Sequence, residues 1–230
     1  MFATTVNELV TLFRSEVNDR DRFDGDPDSL LWKPADVLAY FNEGLNRVLK
    51  RTEALYREIP LKVTAGQRLV RLPASVRHIR EARLRSTFSP LREVNTNDPA
   101  RYMSASDYGL PTLTLNASPG EPSAYTRDFS AKGLLLNTVP VADDFIDIQC
   151  SVILTEPLTL EDDLPITDDE DQRLVITYMK YRAYAQHDVE TYDLQRSTQY
   201  RAEFDRDLAE RVADLRSVRR APGTVRMEWP

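Results

Sequence analysis

The residues of this 230-residue chain that are able to do chemistry are few, and their spacing keeps them apart. The two histidines, His78 and His187, lie far from each other, and the single cysteine, Cys150, sits inside the apolar run 146–154. A zinc site therefore lacks ligands at the usual spacing, an internal disulfide is impossible, and Cys150 is expected to pack as a small hydrophobe. No Ser, His and Asp stand in a nucleophile motif, and the seven glycines form no phosphate-binding loop. Carboxylates are abundant: residues 143–171 hold eleven acids and no Lys or Arg. A metal cluster or a glycosidase pair needs such groups to converge, and nothing in the spacing sets two of them across a cleft. The stretch DLPITDDEDQ reads instead as a solvated loop followed by an acidic helix start, with Thr167 as the N-cap. The run NDRDRFDGDPDS lacks the closing Glu of an EF-hand loop and reads as a turn-rich connection. No catalytic residue, cofactor or metal is expected.

The basic residues carry a different signal. Of the 30, 25 are Arg, a residue suited to planar, bidentate contacts with carboxylates and phosphates, although genomic base composition explains the bias equally well. Arg77, Arg80, Arg83 and Arg85 fall on the strand-like stretch ending HIREARLR, whose alternation suits a half-exposed strand. Such a strand makes either a phosphate- or acid-facing ribbon in a channel or interface, or simply a solvated face, and the second reading is favoured. Tyr178, Tyr181, Tyr184, Tyr192 and Tyr200 sit among other helical apolar residues, a pattern for packing with hydroxyls at the rim rather than for stacking on bases. The formal charge of -7 argues against a protein that coats nucleic acid.

The elements that hold these residues follow from periodicity. Residues 5–17 place Val6, Leu9, Val10, Phe13 and Val17 on one helical face, and Thr5 with Glu8 makes a capping box. A second helix is predicted over 34–56, with Pro34 in its first turn, Trp32 stapling onto Val37, and Gly44 marking a close approach. From residue 59 the period becomes that of strands: IPLKVT and RLVRLP around AGQ predict a hairpin, and SAYTRDF, GLLLNTVP and FIDIQCSVILTEP predict three more strands. Prolines concentrated in this middle part forbid a helical reading. Two further helices carry Leu174, Val175, Tyr178, Tyr181 and Ala185, then Leu194, Phe204, Leu208, Val212 and Leu215, with the short break HDVETYD making them a hairpin.

The expected fold is α+β. Residues 1–57 and 166–218 form a four-helix bundle, residues 58–165 an inserted antiparallel β-rich domain of sandwich or barrel-like form, and residues 219–230 an extended arm. The first residues, MFATTVNELVTLF, have no basic stretch ahead of the apolar ones, and no apolar run approaches the roughly 20 residues that cross a bilayer. The chain is expected in a reducing cytoplasm, away from membranes.

The order of these parts, from WKPADVLAYFNEGLNRVLKR through RLVRLP, GEPSAYTRDF, LLLNTVP and FIDIQCSVILTEP to LVITYMKYRAYAQHDVETYDLQRSTQYRAEFDRDL, resembles the tail adaptor, or head-completion, proteins of tailed bacteriophages over residues 4–210. The resemblance implies a structural virion protein without enzymatic activity, made in the host cytoplasm and placed at the portal vertex, or neck. It implies a ring, a dodecamer, beneath the portal protein that extends the DNA channel without sequence-specific contacts and docks a tail or nozzle protein. It further implies that the C-terminal arm engages the portal. In RSVRRAPGTVRMEWP, Arg219, Arg220 and Arg226 suit carboxylates, and Val225, Met227 and Trp229 suit apolar pockets. Two readings compete: a nucleic-acid-binding module using Arg77, Arg80, Arg83 and Arg85, and a carbohydrate-active enzyme on a β-sandwich.

Overall fold

The structure, a computed structural model, describes residues 3–19, 30–94, 118–128, 132–186 and 192–220. It divides into two compact units, Met1–Leu55 with Glu156–Pro230, and Tyr56–Thr155. The first is helical and the second is built of strands, so the fold is α+β.

In the helical unit, α1 (Val6–Glu16) starts at the capping box read from the sequence. Thr5 Oγ1 accepts from the Glu8 N–H at 3.3 Å, and the Glu8 carboxylate accepts from the Thr4 and Thr5 N–H groups, at 2.6 and 3.4 Å. α2 (Pro34–Thr52) ends earlier than predicted because Glu53 turns left-handed, with φ 52°, and Tyr56 is drawn into a strand; Leu55 lies past the helix end. Helical periodicity continues through these residues, but sheet pairing overrides it. Arg14 and the buried Asp19 join the two helices: Arg14 pairs with Asp19 and donates to the Trp32 carbonyl at 3.1 Å, while the Leu31 N–H donates to Asp19 at 2.7 Å. Trp32 is buried against Phe13 and Tyr184, and its indole N–H donates to the Ala183 carbonyl at 3.0 Å.

α3 (Asp169–Ala185) packs against each of the other three helices. Its N-cap is Asp168, one residue later than predicted: Asp168 accepts from the Glu170 N–H at 2.9 Å, and its carbonyl receives the Gln172 N–H. α4 (Leu194–Arg220) runs antiparallel to α3. The Asp193 N–H donates to the Tyr184 carbonyl near one end, the Tyr178 and Phe204 rings meet at 5.1 Å, and Arg211 reaches the start of α3 at the other. Ser197, Phe204 and Leu208 form the buried stripe of α4. Leu194, expected there, is 63% exposed at the first position after Asp193, whose carboxylate caps the helix at the Arg196 N–H. The segment 156–165, assigned from the sequence to the β-rich part, lies in this unit. Asn42 exchanges hydrogen bonds with the Leu158 backbone at 2.7 and 2.9 Å, and Val6 and Leu164 pair with Asp162 and Thr4.

The strand unit holds β1 (Tyr56–Val63), β2 (Leu69–Arg71), β3 (Val76–Leu84), β4 (Arg92–Glu93), β5 (Ala124–Asp128), β6 (Gly133–Leu136) and β7 (Asp144–Val152). They make two sheets, in the orders β1-β7-β3 and β2-β6-β5-β4. The predicted hairpin of β1 and β2 does not form: β1 pairs along its whole length with β7, and β2 pairs with β6 in the other sheet. The long apolar β7 offers more ladder than a three-residue strand, and Gly66, at φ 79°, turns the chain between sheets with its N–H on the Pro140 carbonyl. The expectation of a purely antiparallel domain also fails, since β4 and β5 run parallel, and the sheets close into no barrel among the described residues. Ile146, Ile148, Cys150 and Val152 of β7 form the buried face with Ile79, Ala82 and Leu84 of β3.

Candidate assembly surfaces

The basic strand is irregular. Bulges leave Arg77 and Arg80 out of register with β7, so the strict alternation read from the sequence breaks twice. Arg77 sides with Arg127 and Lys132 around a cavity of about 350 Å³, and its carbonyl accepts from Arg127 at 3.3 Å. The other three arginines join a mixed face. Arg80 lies over the Tyr56 ring at 4.0 Å, Arg85 over the Phe145 ring at 4.9 Å, and Arg85 Nε also donates to Asp147 at 2.9 Å. Asp147 is held below the usual carboxylate range, mainly by the Arg85 hydrogen bond and also by the Arg83 charge. Glu58 and Glu81 stand opposite Gln149 in the register, on the same side as Asp147. The structure thus brings Arg80, Arg83 and Arg85 together, interleaves them with acids, and leaves Arg77 aside.

The acid-rich segment does converge, on a cation. Arg211 donates to Asp168 at 2.6 Å, Glu170 at 2.8 Å and Asp171 at 3.1 Å, and Asp171 is buried. Burial pushes Asp168 up, but Arg211 and the Glu170 N–H outweigh it and hold the carboxyl down. For Asp171 burial wins, and its carboxyl is raised despite the same guanidinium. Sequence reasoning found the helix start but missed Arg211, because its partners lie some 40 positions away and no local pattern marks it. Among the described residues no group of three or more His, Cys, Asp or Glu is placed to hold a metal ion. Cys150 is buried, and burial pushes its thiol up.

Four of the five tyrosines pack on other rings, with Tyr178 almost wholly buried rather than at a rim. Tyr178 meets Tyr181 edge-on at 5.6 Å, Tyr184 stacks on Tyr200 at 5.8 Å, and burial pushes the Tyr178 hydroxyl up to about 12. Tyr192 stays 43% exposed. Among the described residues no helix is long and apolar enough to cross a membrane.

At the C-terminus, α4 continues through Arg219 and Arg220, so both predicted docking cations belong to its last turn. Val225, Arg226, Met227 and Trp229, like the acidic run 20–29 and His187, lie outside the described residues. Because Arg211 marks the start of α3, the final nine residues of α4, about 14 Å of helix, run past that point.

A family model described as SU10 adaptor protein matches residues 4–227. The chain belongs to the SU10 adaptor family. The SU10 adaptor match spans both units and most of the arm, and it makes the protein a bacteriophage structural adaptor, a virion component that associates with other head or tail proteins. No curated protein matches the chain.

Proposed function

We propose that this SU10 adaptor is a non-enzymatic head-to-tail connector. Twelve copies form a ring beneath the portal at the virion neck, extend the DNA channel, and dock a tail or nozzle protein. Its four helices act as one bundle, and the strand unit as a sandwich-like insert. The observation that carries this reading is the continuation of α4 for nine residues past Arg211, with Arg216 exposed, ahead of the basic and apolar arm sequence. Arg219, Arg220 and Arg226 meet carboxylates of the portal, and Val225, Met227 and Trp229 fill its apolar pockets. The net charge of -7 supports passage of DNA, since an acidic wall holds no phosphates through counterion release.

The nucleic-acid reading is less favoured, because Arg85 is engaged by Asp147 and Arg83 lies under the influence of the same carboxylate. The test of arm docking is truncation after Arg216, which removes no residue of the buried stripe. The truncated chain is expected to melt as the full chain does and to lose binding to the portal ring. Unchanged binding refutes arm docking.

A further inference from the structure

Phe88 combines two properties that a folded chain has no internal reason to combine. Its backbone is left-handed, with φ 55°, and its ring is 73% exposed. A left-handed residue after a tight turn at the end of a strand is a position where Gly is the default, and a bulky aromatic is strained there. Burial of the ring would offset the strain, but here it offsets little. The loop does not yield to relieve it, because the chain around Phe88 is pinned. The Leu84 N–H donates to the Ser89 carbonyl at 2.9 Å, Ser86 Oγ to Asp144 at 2.6 Å, and Thr87 Oγ1 to Glu121 at 2.8 Å. The backbone that carries the ring is therefore tied down on both sides.

Next to it, Ser86 and Thr87 form one wall of a groove of about 220 Å³. Pro122 and Pro140 are buried in the groove, Val141 is 69% exposed at its rim, and Glu121, Asp143 and Asp144 surround it. These three carboxylates accept hydrogen bonds from hydroxyl and backbone N–H donors, and among the described residues no Lys or Arg forms an ion pair with them. Arg85 acts electrostatically on Asp144, whereas among the described residues Glu121 and Asp143 have hydrogen-bond donors only, so the surface offers an exposed aromatic knob, an apolar groove and negative charge at Glu121 and Asp143 side by side.

We propose that Phe88 and the Pro122–Pro140–Val141 groove form a docking site for an extended segment of another virion protein, one that carries an apolar side chain for the groove and a Lys or Arg for Glu121 and Asp143. Complementarity of charge selects a cationic segment, and the central aromatic supplies the anchor. The inference rests on the adaptor reading for the nature of the partner, and it assigns the residues of the contact.

The test supplies variants from a plasmid to phage that lack the gene. Phe88→Gly and Phe88→Asn tolerate the left-handed backbone and remove the ring, and a double charge reversal, Glu121→Lys with Asp143→Lys, leaves the ring in place. The purified Phe88 variants are expected to melt at or above the temperature of the unaltered protein. In phage, all variants assemble on heads, the infectious titre falls by about 100-fold or more, and the particles lack the component that follows the adaptor. A titre within a few-fold of the unaltered protein overturns the proposal. So does a lowered melting temperature, which makes Phe88 a folding residue, or failure of the copies to assemble on heads, which makes a second copy the occupant. Absence of the unaltered protein from virions overturns the adaptor reading itself, and the partner named here with it.

Discussion

Arg211 is the residue on which the largest number of carboxylates depends. Its side chain is 15% exposed, and its guanidinium faces Asp168, Glu170 and the buried Asp171. Replacement by Ala leaves Asp171 as a buried charge without a cation, a situation that costs about 3 kcal/mol, whereas the exposed Glu170 adds little. Chemical denaturation at pH 7 is expected to show that loss. The loss also has a pH signature. Asp168, whose folded carboxyl is held down, contributes stability that is present above its unfolded value of about 4 and vanishes as pH falls through the lower folded value. Asp171, raised by burial, takes its proton at higher pH and opposes that trend. The gap between Arg211→Ala and the unaltered protein therefore narrows below about pH 4, and a gap that widens contradicts the pairing. At this scale the sequence was legible where chemistry is local, as in the box of Thr5 and Glu8. It was silent on Arg211 and Phe88, whose roles depend on long-range approach and on a backbone angle.

At the scale of elements, apolar spacing finds most helices and strands but not which strands pair. α1 and the three central strand candidates lie where periodicity puts them, but β1 and β2 part company because β7 outcompetes the hairpin for β1. Register bulges in β3 likewise have no mark in the sequence beyond an imperfect alternation. Gly44 shows how one residue sets a helix pair. A Cβ added there would stand 2.9 Å from Tyr178 Cδ1 and 3.2 Å from Tyr178 Cβ, too close for α2 and α3 to keep their spacing. Ala gains about 1 kcal/mol of helix propensity over Gly, but overpacking costs about 1–3 kcal/mol. Gly44→Ala is expected to destabilise by about 1 kcal/mol, read as a lower denaturation midpoint with an unchanged slope. A stabilised variant contradicts the close packing.

For the whole molecule, the chain leaves the helical unit after Leu55, builds the strand unit, and returns at Glu156. That interruption was visible as a change of period and a concentration of prolines, although its return point was not, because residues 156–165 bind the helices through backbone groups that any sequence possesses. The same limit applies to assembly. A ring contact is a property of two surfaces, and one chain displays only half of it. The central claim, a ring of copies between portal and tail, is tested most directly by cryo-electron microscopy of the neck of intact virions. The account predicts twelve copies of this chain coaxial with the portal, with the ends of α4 and the arms on portal subunits. Density for the chain elsewhere in the particle, or a neck built without it, contradicts the account.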